Sequence, residues 1–419
     1  MKNLETLIQE LCPDGVEFVK LGDVFDIFSG MSKVSNKWAD EGNCKFIDYL
    51  NVYNNLTVDV NKLQNATVAN FKQNILKEGD ILFTCASETP RECAISAVIR
   101  EPIADNIFLD DHLNGIRVKG EYSDKVNTAF VNYYFYSPQF RIAVCKIVRG
   151  VTRFYIVNKS FLKIEIPLPP IEVQTEIVRI LDKFTSLEAE LEAELDCRKR
   201  QYEYYRDKLL SFDNVGGQEV EWKKMSEVGT FIRGKRFVRT DIVDEGVPCI
   251  HYGDIYTYYG LTATKAKTYL KPEKAEKMKF ASKNDVVIVG AGENNMDIGV
   301  GVAWLSDEEV AIHDACYIFK SKMNPRFVSH YLRGSNYHLQ IKKYVCEGKI
   351  CSISSKSIGR SLIPVPSLQE QERIANILDR FESLTTSLQS GLPAEITARR
   401  QQYEHYRDKL LTFKRKGAA

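Results

Sequence analysis

The sequence contains one unit twice, and this internal duplication limits the possible folds more than any other feature. Ile-Pro-Leu-Pro at 166–169 returns as Ile-Pro-Val-Pro at 363–366. Ile180–Phe184 returns as Ile377–Phe381 with one Lys-to-Arg change, and both repeats lie 197 positions apart. A chain of 419 residues that repeats itself in this way is expected to fold as two similar bodies rather than around one core.

A third repeat shows where the two copies differ in length. Tyr205–Phe212 returns as Tyr406–Phe413, with Thr412 in place of Ser211, and here the separation is 201 positions. The second copy therefore carries four additional residues, which we place near Ser390–Pro393.

The regions that precede these repeats are related more weakly. The matching segments are Val16–Phe18 with Val220–Trp222, Phe28–Gly30 with Ile232–Gly234, Ile47–Tyr49 with Ile250–Tyr252, Gly79–Phe83 with Asn284–Ile288, and Phe130–Tyr134 with Phe327–Tyr331. The helical segments are thus nearly alike, whereas the domains before them share only a skeleton. We infer that the two helical segments have the same function and that the two domains have related but different functions.

Each helical segment carries an apolar seam with alternating spacings of three and four, as in a coiled coil. The predicted helix-pairing residues are Ile177, Ile180, Phe184, Leu187 and Leu191 in the first copy and Ile374, Ile377, Phe381, Leu384 and Leu388 in the second. The step from Leu191 to Leu195 is a stutter, which locally unwinds a supercoil. Gly391 and Pro393 are expected to kink or interrupt the second helix.

These patterns predict an α+β fold with two similar globular domains, each followed by a long helix. The link from Phe212 to Val220 is short, so the second domain must lie at the end of the first helix. The second helix must then run back, and the two helices are expected to pair as an antiparallel coiled coil with pseudo-twofold symmetry. The predicted boundaries are 1–165 (first domain), 166–212 (first helix), 213–362 (second domain), 363–413 (second helix) and 414–419 (basic tail). A purely structural rod is disfavoured, because it would not need two domains of this size.

Composition excludes several classes of protein. The ten cysteines form no Cys-x-x-Cys pair and the six histidines form no ligand cluster, so we expect a reduced, cytoplasmic protein without a metal. No signal peptide or membrane-spanning apolar run is evident. The net charge of +1 disfavours a strongly basic non-specific binder. It still allows positive charge to be concentrated on one loop face.

Three loops in each domain carry residue types suited to DNA contacts, because Arg can bind guanine edges and Lys can bind phosphates. The pre-joint loop, just before the Pro-x-Pro segment, offers Arg149, Thr152, Arg153 and Tyr155 in the first copy and Lys349, Ser352 and Ser354 in the second. The first-strand loop offers Ser29, Lys33, Lys37 and Trp38, against Arg233, Lys235, Arg236 and Arg239. The central-strand loop offers Ser87 and Arg91, against Asn294 and Asn295. Ordinary solvated turns remain the alternative for each loop.

No catalytic motif is evident. Val286–Gly292 resembles a strand entering a nucleotide-binding glycine loop, but the third glycine and the following helix are missing. Asn324–Phe327 resembles the Asn-Pro-Pro-aromatic motif of amino methyltransferases without its second proline. We expect no catalytic residue and no cofactor in this chain.

Over essentially its whole length the sequence resembles the specificity (S) subunit of type I restriction–modification systems. The resemblance rests on Ile-Pro-Leu-Pro-Pro at 166–170, Gln174, Ile180–Asp182 and Phe184, on their copy at 363–381, and on the Tyr-Arg-Asp-Lys-Leu-Leu that closes each helix. It implies that each domain is a target recognition domain reading one half of a split double-stranded DNA sequence. It also implies that the helices set the spacing and dock two modification (M) subunits.

The same resemblance implies that catalysis belongs to partner subunits. The M subunits would carry adenine methylation with S-adenosylmethionine, and restriction (R) subunits would add cleavage driven by ATP and Mg. Two alternatives remain open at this point: a self-contained DNA methyltransferase, and a scaffold that binds only protein. The first needs a cofactor-binding core, which domains of this size cannot easily house beside a reader.

Overall fold

The computed structural model describes residues 4–32, 34–38, 40–68, 74–104, 106–212, 220–386 and 391–417. The chain divides into two compact units. Unit 1 consists of Met1–Ala189 with Ala398–Ala419, and unit 2 consists of Glu190–Thr397. Each unit therefore combines one domain with parts of both helical segments.

The first copy of the repeat forms seven helices and thirteen strands among the described residues. The helices are α1 (Leu4–Leu11), α2 (Leu21–Val24), α3 (Tyr49–Asn54), α4 (Thr128–Phe135), α5 (Pro138–Ile147), α6 (Asn158–Phe161) and α7 (Ile171–Ser211). The strands are β1 (Phe18–Lys20), β2 (Phe25–Ser29), β3 (Val34–Lys37), β4 (Cys44–Ile47), β5 (Gln64–Val68), β6 (Ile81–Thr84), β7 (Ala86–Ser87), β8 (Ser96–Val98), β9 (Ile107–Leu109), β10 (Leu113–Val118), β11 (Arg149–Gly150), β12 (Phe154–Tyr155) and β13 (Glu165–Pro167).

The second copy forms eight helices and fourteen strands among the described residues. Its helices are α8 (Met225–Val228), α9 (Tyr252–Thr257), α10 (Pro272–Ala275), α11 (Pro325–Tyr331), α12 (Ser335–Lys342), α13 (Ser355–Ile358), α14 (Leu368–Thr386) and α15 (Leu392–Leu410). Its strands are β14 (Trp222–Lys224), β15 (Gly229–Arg233), β16 (Ile242–Val243), β17 (Val247–Ile250), β18 (Thr262–Ala263), β19 (Thr268–Leu270), β20 (Phe280–Ala281), β21 (Val286–Val289), β22 (Ala291–Gly292), β23 (Gly301–Trp304), β24 (Val310–Ile312), β25 (Cys316–Ser321), β26 (Cys351–Ser352) and β27 (Leu362–Pro364).

Each domain is built on two main sheets with related strand orders. In the first domain the orders are β2-β10-β6-β8 and β3-β5-β4-β9. In the second they are β15-β25-β21-β23-β18 and β16-β19-β17-β24-β20. The central strands β6 and β21 are apolar or hydroxyl-bearing runs that are buried throughout, as expected for strands covered on both faces. The predicted α+β class is confirmed.

An ion pair at the start of each central strand repeats between the domains. Arg117 Nη2 lies 2.7 Å from Asp80 Oδ2, and Lys320 Nζ lies 2.7 Å from Asp285 Oδ2. The carboxyl groups of both aspartates are buried, so each needs a nearby cation to offset the loss of hydration. The skeleton that the weak sequence repeats indicated is therefore present in three dimensions.

Helices α4 and α11 are equivalent short helices rich in aromatic residues. Asn127 caps α4 by accepting hydrogen bonds from two backbone N–H groups, and Asn324 caps α11 in the same way. The buried amides of Gln174 and Gln371 accept from the backbone N–H of these two caps, at 2.9 and 2.8 Å. Each long helix is thus tied at its start to the helix that precedes the joint.

The first turns of α7 and α14 pack into the cores of their own domains. Ile177 and Leu181 are fully buried in the core of unit 1, and Ile374 and Leu378 are equally buried in the core of unit 2. The joint is therefore part of each domain rather than a free linker. In agreement with this, β13 pairs with β1 and β27 pairs with β14, so strands cross the predicted boundaries at 165/166 and 362/363.

Helix pairing is visible within each unit and is antiparallel. In unit 1 the rings of Phe184 and Tyr406 stack at 5.3 Å, while Arg400 forms an ion pair with Glu188 at 2.7 Å. Of these two contacts, the one further along α7 is made nearer the start of α15, so the two helices run in opposite directions. In unit 2 the rings of Tyr205 and Phe381 stack at 5.4 Å, and the interplanar angle is 24° in both pairs.

The predicted seam is only partly correct. Phe184 and Phe381 do pair with the other helix, and Ile180 and Ile377 are half-buried. Ile177 and Ile374 instead face the domains. Leu191 is half-buried, and Leu388 lies outside the described residues.

The prediction is wrong for Leu187 and Leu384, which are 45% and 52% exposed. The physical reason is that each helix has two apolar faces, one for the domain and one for the other helix. A single stripe read from the spacing merges these two faces.

The predicted interruption of the second helical segment is confirmed at Gly391. This residue is not helical, and its carbonyl accepts hydrogen bonds from Ala394 and Glu395 at the start of α15. Residues 387–390 lie outside the described residues.

After α15 the chain returns to the first domain. The Val16 N–H donates to a backbone carbonyl of the segment that follows α15, and the Lys416 N–H donates to the Val16 carbonyl. Arg415 forms an ion pair with Glu165. The segment predicted as a basic tail is therefore paired as far as Lys416. Among the described helices, none is both long and apolar enough to cross a membrane.

Candidate nucleic-acid interface

The three predicted loops of the first domain meet around one cleft of about 990 Å³. Strand β7 of the central-strand loop pairs with β12 of the pre-joint loop, in the register Ser87 with Phe154. The cleft is lined by Lys37 and Trp38, by Ser87, and by Thr152 and Arg153. Loops that are far apart in sequence therefore supply one concave surface with basic, hydroxyl and aromatic groups.

A glycine in each domain lets the first-strand loop approach this surface. A Cβ at Gly30 would lie 1.9 Å from the carbonyl oxygen of Asp110, and a Cβ at Gly234 would lie 2.2 Å from that of His313. No side chain fits at either place, so both copies keep glycine where the loop crosses the turn before β10 or β25.

Lys37 is not a free cation. Its ammonium group lies 2.9 Å from Asp110 Oδ2 and 2.6 Å from Asp111 Oδ1. Burial alone would lower the pKa of Lys37, but hydrogen bonds to these two carboxylates outweigh it and raise the pKa. The predicted role of Lys37 in holding phosphate is therefore weakened, because its charge is already matched within the protein.

Asp110, Asp111 and His112 are also the one group among the described residues whose side-chain atoms lie close enough to share a metal ion. The ammonium group of Lys37 already lies against both carboxylates. We assign the cluster to an internal charge network.

The remaining candidates of the first domain lie around the rim. Trp38 is 55% exposed and packs edge-on against Phe46. Arg149 and Tyr155 are exposed and face each other across the β11–β12 pair. Ser29 and Arg91 are exposed but do not line the cleft, and Lys33 lies outside the described residues.

In the second domain the central-strand loop and the pre-joint loop meet in the same way. Strand β22 pairs with β26, in the register Ala291 with Ser352. The Asn295 amide donates to Glu347 at 2.6 Å, which ties the central-strand loop to the pre-joint loop. Lys349 is exposed near the end of the pre-joint loop.

The first-strand loop of the second domain is its most basic part. The side chains of Arg233, Lys235, Arg236 and Arg239 are all exposed. Arg233 Nε donates to the Asp314 carbonyl at 2.9 Å, which leaves its positive charge unmatched by that contact. This loop is the counterpart of the one in which Lys37 is neutralised.

Two predicted contacts of the second domain already have structural roles. The Ser354 hydroxyl caps α13 by accepting from Ser357, and the Asn294 side chain caps the short 3-10 helix Asn295–Asp297. DNA contact by any of the candidate residues stays a prediction.

Sequence reasoning missed several residues of the first cleft. Tyr49, Tyr53, Glu92, Asp110 and His112 also line it. A signal for the tyrosines was present, because the tyrosine of the repeated Ile-x-Tyr segment recurs four positions later in both copies. The acidic residues carried no such signal.

The family model described as the type I restriction modification DNA specificity domain matches residues 13–196 and again 218–398. The chain belongs to this family of type I restriction–modification specificity subunits.

Particular relatives agree with this assignment. The EcoR124I/EcoR124II specificity subunit of Escherichia coli is 38% identical over 275 residues, which are 62% of this chain and 66% of that subunit. A putative type I restriction enzyme specificity subunit of Haemophilus influenzae is 30% identical over 309 residues, 69% of this chain and 73% of its own length.

Solved structures support the fold. The S subunit from M. genitalium has a TM-score of 0.51 at 14% identity and covers 95% of this chain and 96% of its own. A chain from work on complex assembly and conformational transition of the type I R-M system has a TM-score of 0.59 at 17% identity, with 95% and 97% covered.

Proposed function

We propose that this chain is the DNA-reading subunit of a type I restriction–modification complex and has no catalytic site of its own. Each domain reads one half of a bipartite double-stranded DNA target through its cleft. The observation that carries the proposal is the convergence of three loops on one cleft in the first domain, together with the pairing of the two equivalent loops in the second domain, where the side chains differ. A two-part target with unlike halves requires such unlike readers on one skeleton.

The helical segments α7 and α14–α15 would set the spacing between half-sites and dock two M subunits. In support, Leu187 and Leu384 occupy equivalent positions and are both exposed. Two equivalent apolar positions in one chain suit two copies of one partner. S-adenosylmethionine, ATP and Mg would then be bound by the M and R subunits, in the cytoplasm.

A domain exchange tests the reading function. Residues 16–165 are replaced with the corresponding domain of another family member, and methylated adenines are mapped genome-wide in a host that carries the whole system. We expect one half of the methylated sequence to change and the other half to stay the same. A change in both halves, or in neither, would contradict the proposal.

Two measurements separate the alternatives. If the isolated chain bound labelled S-adenosylmethionine stoichiometrically, it would be a methyltransferase rather than a reader. If the chain with its M subunits showed no preference among random duplexes, it would be a protein scaffold.

A further inference from the structure

The short helices α3 and α9 keep the same tyrosines although the domains around them have diverged. Ile47, Tyr49 and Tyr53 in the first copy return as Ile250, Tyr252 and Tyr256, each 203 positions later. The neighbouring first-strand loops differ in composition, with Lys37 and Trp38 in the first copy and Arg236 and Arg239 in the second. The tyrosines are therefore retained in a part of the molecule where little else is.

In the first domain, α3 is held so that both tyrosines face the cleft. Val52 is fully buried, and the buried Asn51 amide donates to two backbone oxygens of the following loop at 2.9 and 3.0 Å. Tyr49 and Tyr53 are one helical turn apart, their rings stack at 5.6 Å, and both line the cleft.

In the second domain, α9 is anchored in the same way. Ile255 is buried, and the buried Asp254 carboxylate accepts from Lys267 at 3.1 Å. The rings of Tyr252 and Tyr256 are 6.3 Å apart. The Tyr256 hydroxyl oxygen would lie 2.9 Å from a Cβ at Gly292, the residue of β22 that corresponds to Ser87 in β7.

A carboxylate beside the second tyrosine is retained as well. Glu92 ends the 3-10 helix Pro90–Glu92, and Asp297 ends the corresponding helix Asn295–Asp297. Tyr53 and Glu92 line the same cleft, and burial together with this carboxylate raises the pKa of Tyr53. Within the described parts of the chain, no hydrogen bond engages the hydroxyl of Tyr49, Tyr252 or Tyr256. The first tyrosine of each pair thus presents an available donor.

What the two halves of an unlike DNA target share is the sugar–phosphate backbone, whereas their bases differ. Residues retained at equivalent positions of both domains should serve the shared part, and residues that differ should serve the bases. We propose that the hydroxyl groups of Tyr49 and Tyr252 donate to DNA phosphates at the two half-sites and bind both halves irrespective of base sequence. This inference rests on the proposed DNA-reading function.

The test removes only the two hydroxyl groups, in the full chain with its M subunits. Binding of the Tyr49→Phe, Tyr252→Phe and double variants is measured by fluorescence anisotropy on two probes. One probe is a short random-sequence duplex, and the other carries the target found by mapping methylated adenines. We expect each single variant to bind both probes about tenfold more weakly, since each loses one hydrogen bond to a charged group.

The ratio between the two affinities should not change, and the double variant should combine both losses. Tyr204→Phe and Tyr258→Phe are matched controls, because both side chains are 59% exposed and neither belongs to a retained pair. They should leave binding as it is.

Three outcomes would overturn the inference while leaving the reading function intact. These are unchanged binding of both variants, loss of binding to the target probe alone, or an altered methylated sequence. Failure of the wild-type complex to prefer its target would instead refute the proposed function.

Discussion

The two domains differ most where they should meet DNA and least where they meet the helices. In the first domain, Lys37 is neutralised by two aspartates, and the corresponding loop of the second domain is exposed and basic. Residues 29–78 contain six Lys/Arg against five Asp/Glu, and the corresponding residues 233–283 contain eleven against six. The same arrangement of strands and helices thus carries a nearly neutral region in the first domain and a positively charged region in the second.

The places where each domain packs on the helical segments are instead alike in the two units. Phe130 packs on Phe413 in unit 1, and the equivalent rings of Phe327 and Phe212 pack in unit 2. The two copies are thus alike where the domains pack on the helical segments and unlike in the predicted DNA-facing loops, which is the pattern that the proposed function requires.

The largest effect on stability is expected from the buried leucines near the starts of α7 and α14. Leu181→Ala and Leu378→Ala each remove a fully buried side chain at equivalent positions. Each should lower the free energy of unfolding by about 2–5 kcal/mol, because the loss of burial adds to the cost of a cavity. Urea denaturation measures both, and the two costs should be similar since the joints are alike.

The exposed leucines of the same helices provide the matched control. Leu187→Ala and Leu384→Ala should change stability by less than about 0.5 kcal/mol. They should weaken co-purification with the M subunits if these residues form the docking surface. Loss of stability in this second pair would show that Leu187 and Leu384 are packed inside the protein after all.

Sequence periodicity was sufficient for the elements and their repetition. Segments such as α4, α11 and the central strands have strong local signals, namely capping residues and apolar runs, and these signals recur in both copies. The start of α7 near a Pro-x-Pro segment followed from the same local chemistry.

The character of the clefts could not be predicted in the same way. Lys37 meets Asp111 across 74 positions, and no local pattern indicates that pairing. An apolar stripe likewise does not reveal which neighbour it faces, as the exposure of Leu187 illustrates. Contacts set by tertiary packing decide both questions.

A smaller effect is expected on the stability of unit 2 at acidic pH. His330 in unit 2 takes the place of Tyr133 in unit 1, and each donates to the equivalent aspartate, His330 to Asp379 at 2.8 Å and Tyr133 to Asp182 at 2.7 Å. Burial lowers the pKa of His330 in spite of the carboxylate beside it. The unfolded chain therefore takes up the proton first, and stability is lost as pH falls below about 6.5.

The loss should be at most about 1.4 kcal/mol per pH unit for this one group. A Trp38→Phe background leaves only Trp222 and Trp304, so fluorescence-monitored denaturation reports on unit 2. His330→Gln should flatten the dependence of stability on pH between about 5 and 7, whereas Tyr133→Phe should not. An unchanged pH dependence in His330→Gln would contradict this assignment.

The smallest effect per residue is expected from surface lysines of the second domain. Lys271 and Lys277 are exposed on the segment that follows β19, as are Lys265 before it and Lys279 after it. None of the four has an ion pair within the described residues. If the second domain supplies more of the electrostatic attraction, replacing all four with Ala should reduce the salt dependence of DNA binding. The log–log slope should fall by up to about 0.9 for each phosphate that the protein no longer neutralises.

A first-domain set provides the comparison for this measurement. Replacing the exposed Lys20, Lys45, Lys77 and Lys163 with Ala removes the same charge from the more neutral reader. This set should reduce the slope less, and neither set should change the methylated sequence, because phosphate contacts carry no base information. If the first-domain set reduced the slope more, the prediction would be contradicted. The net charge of each domain would then not determine which half of the DNA target is held more strongly through its phosphates.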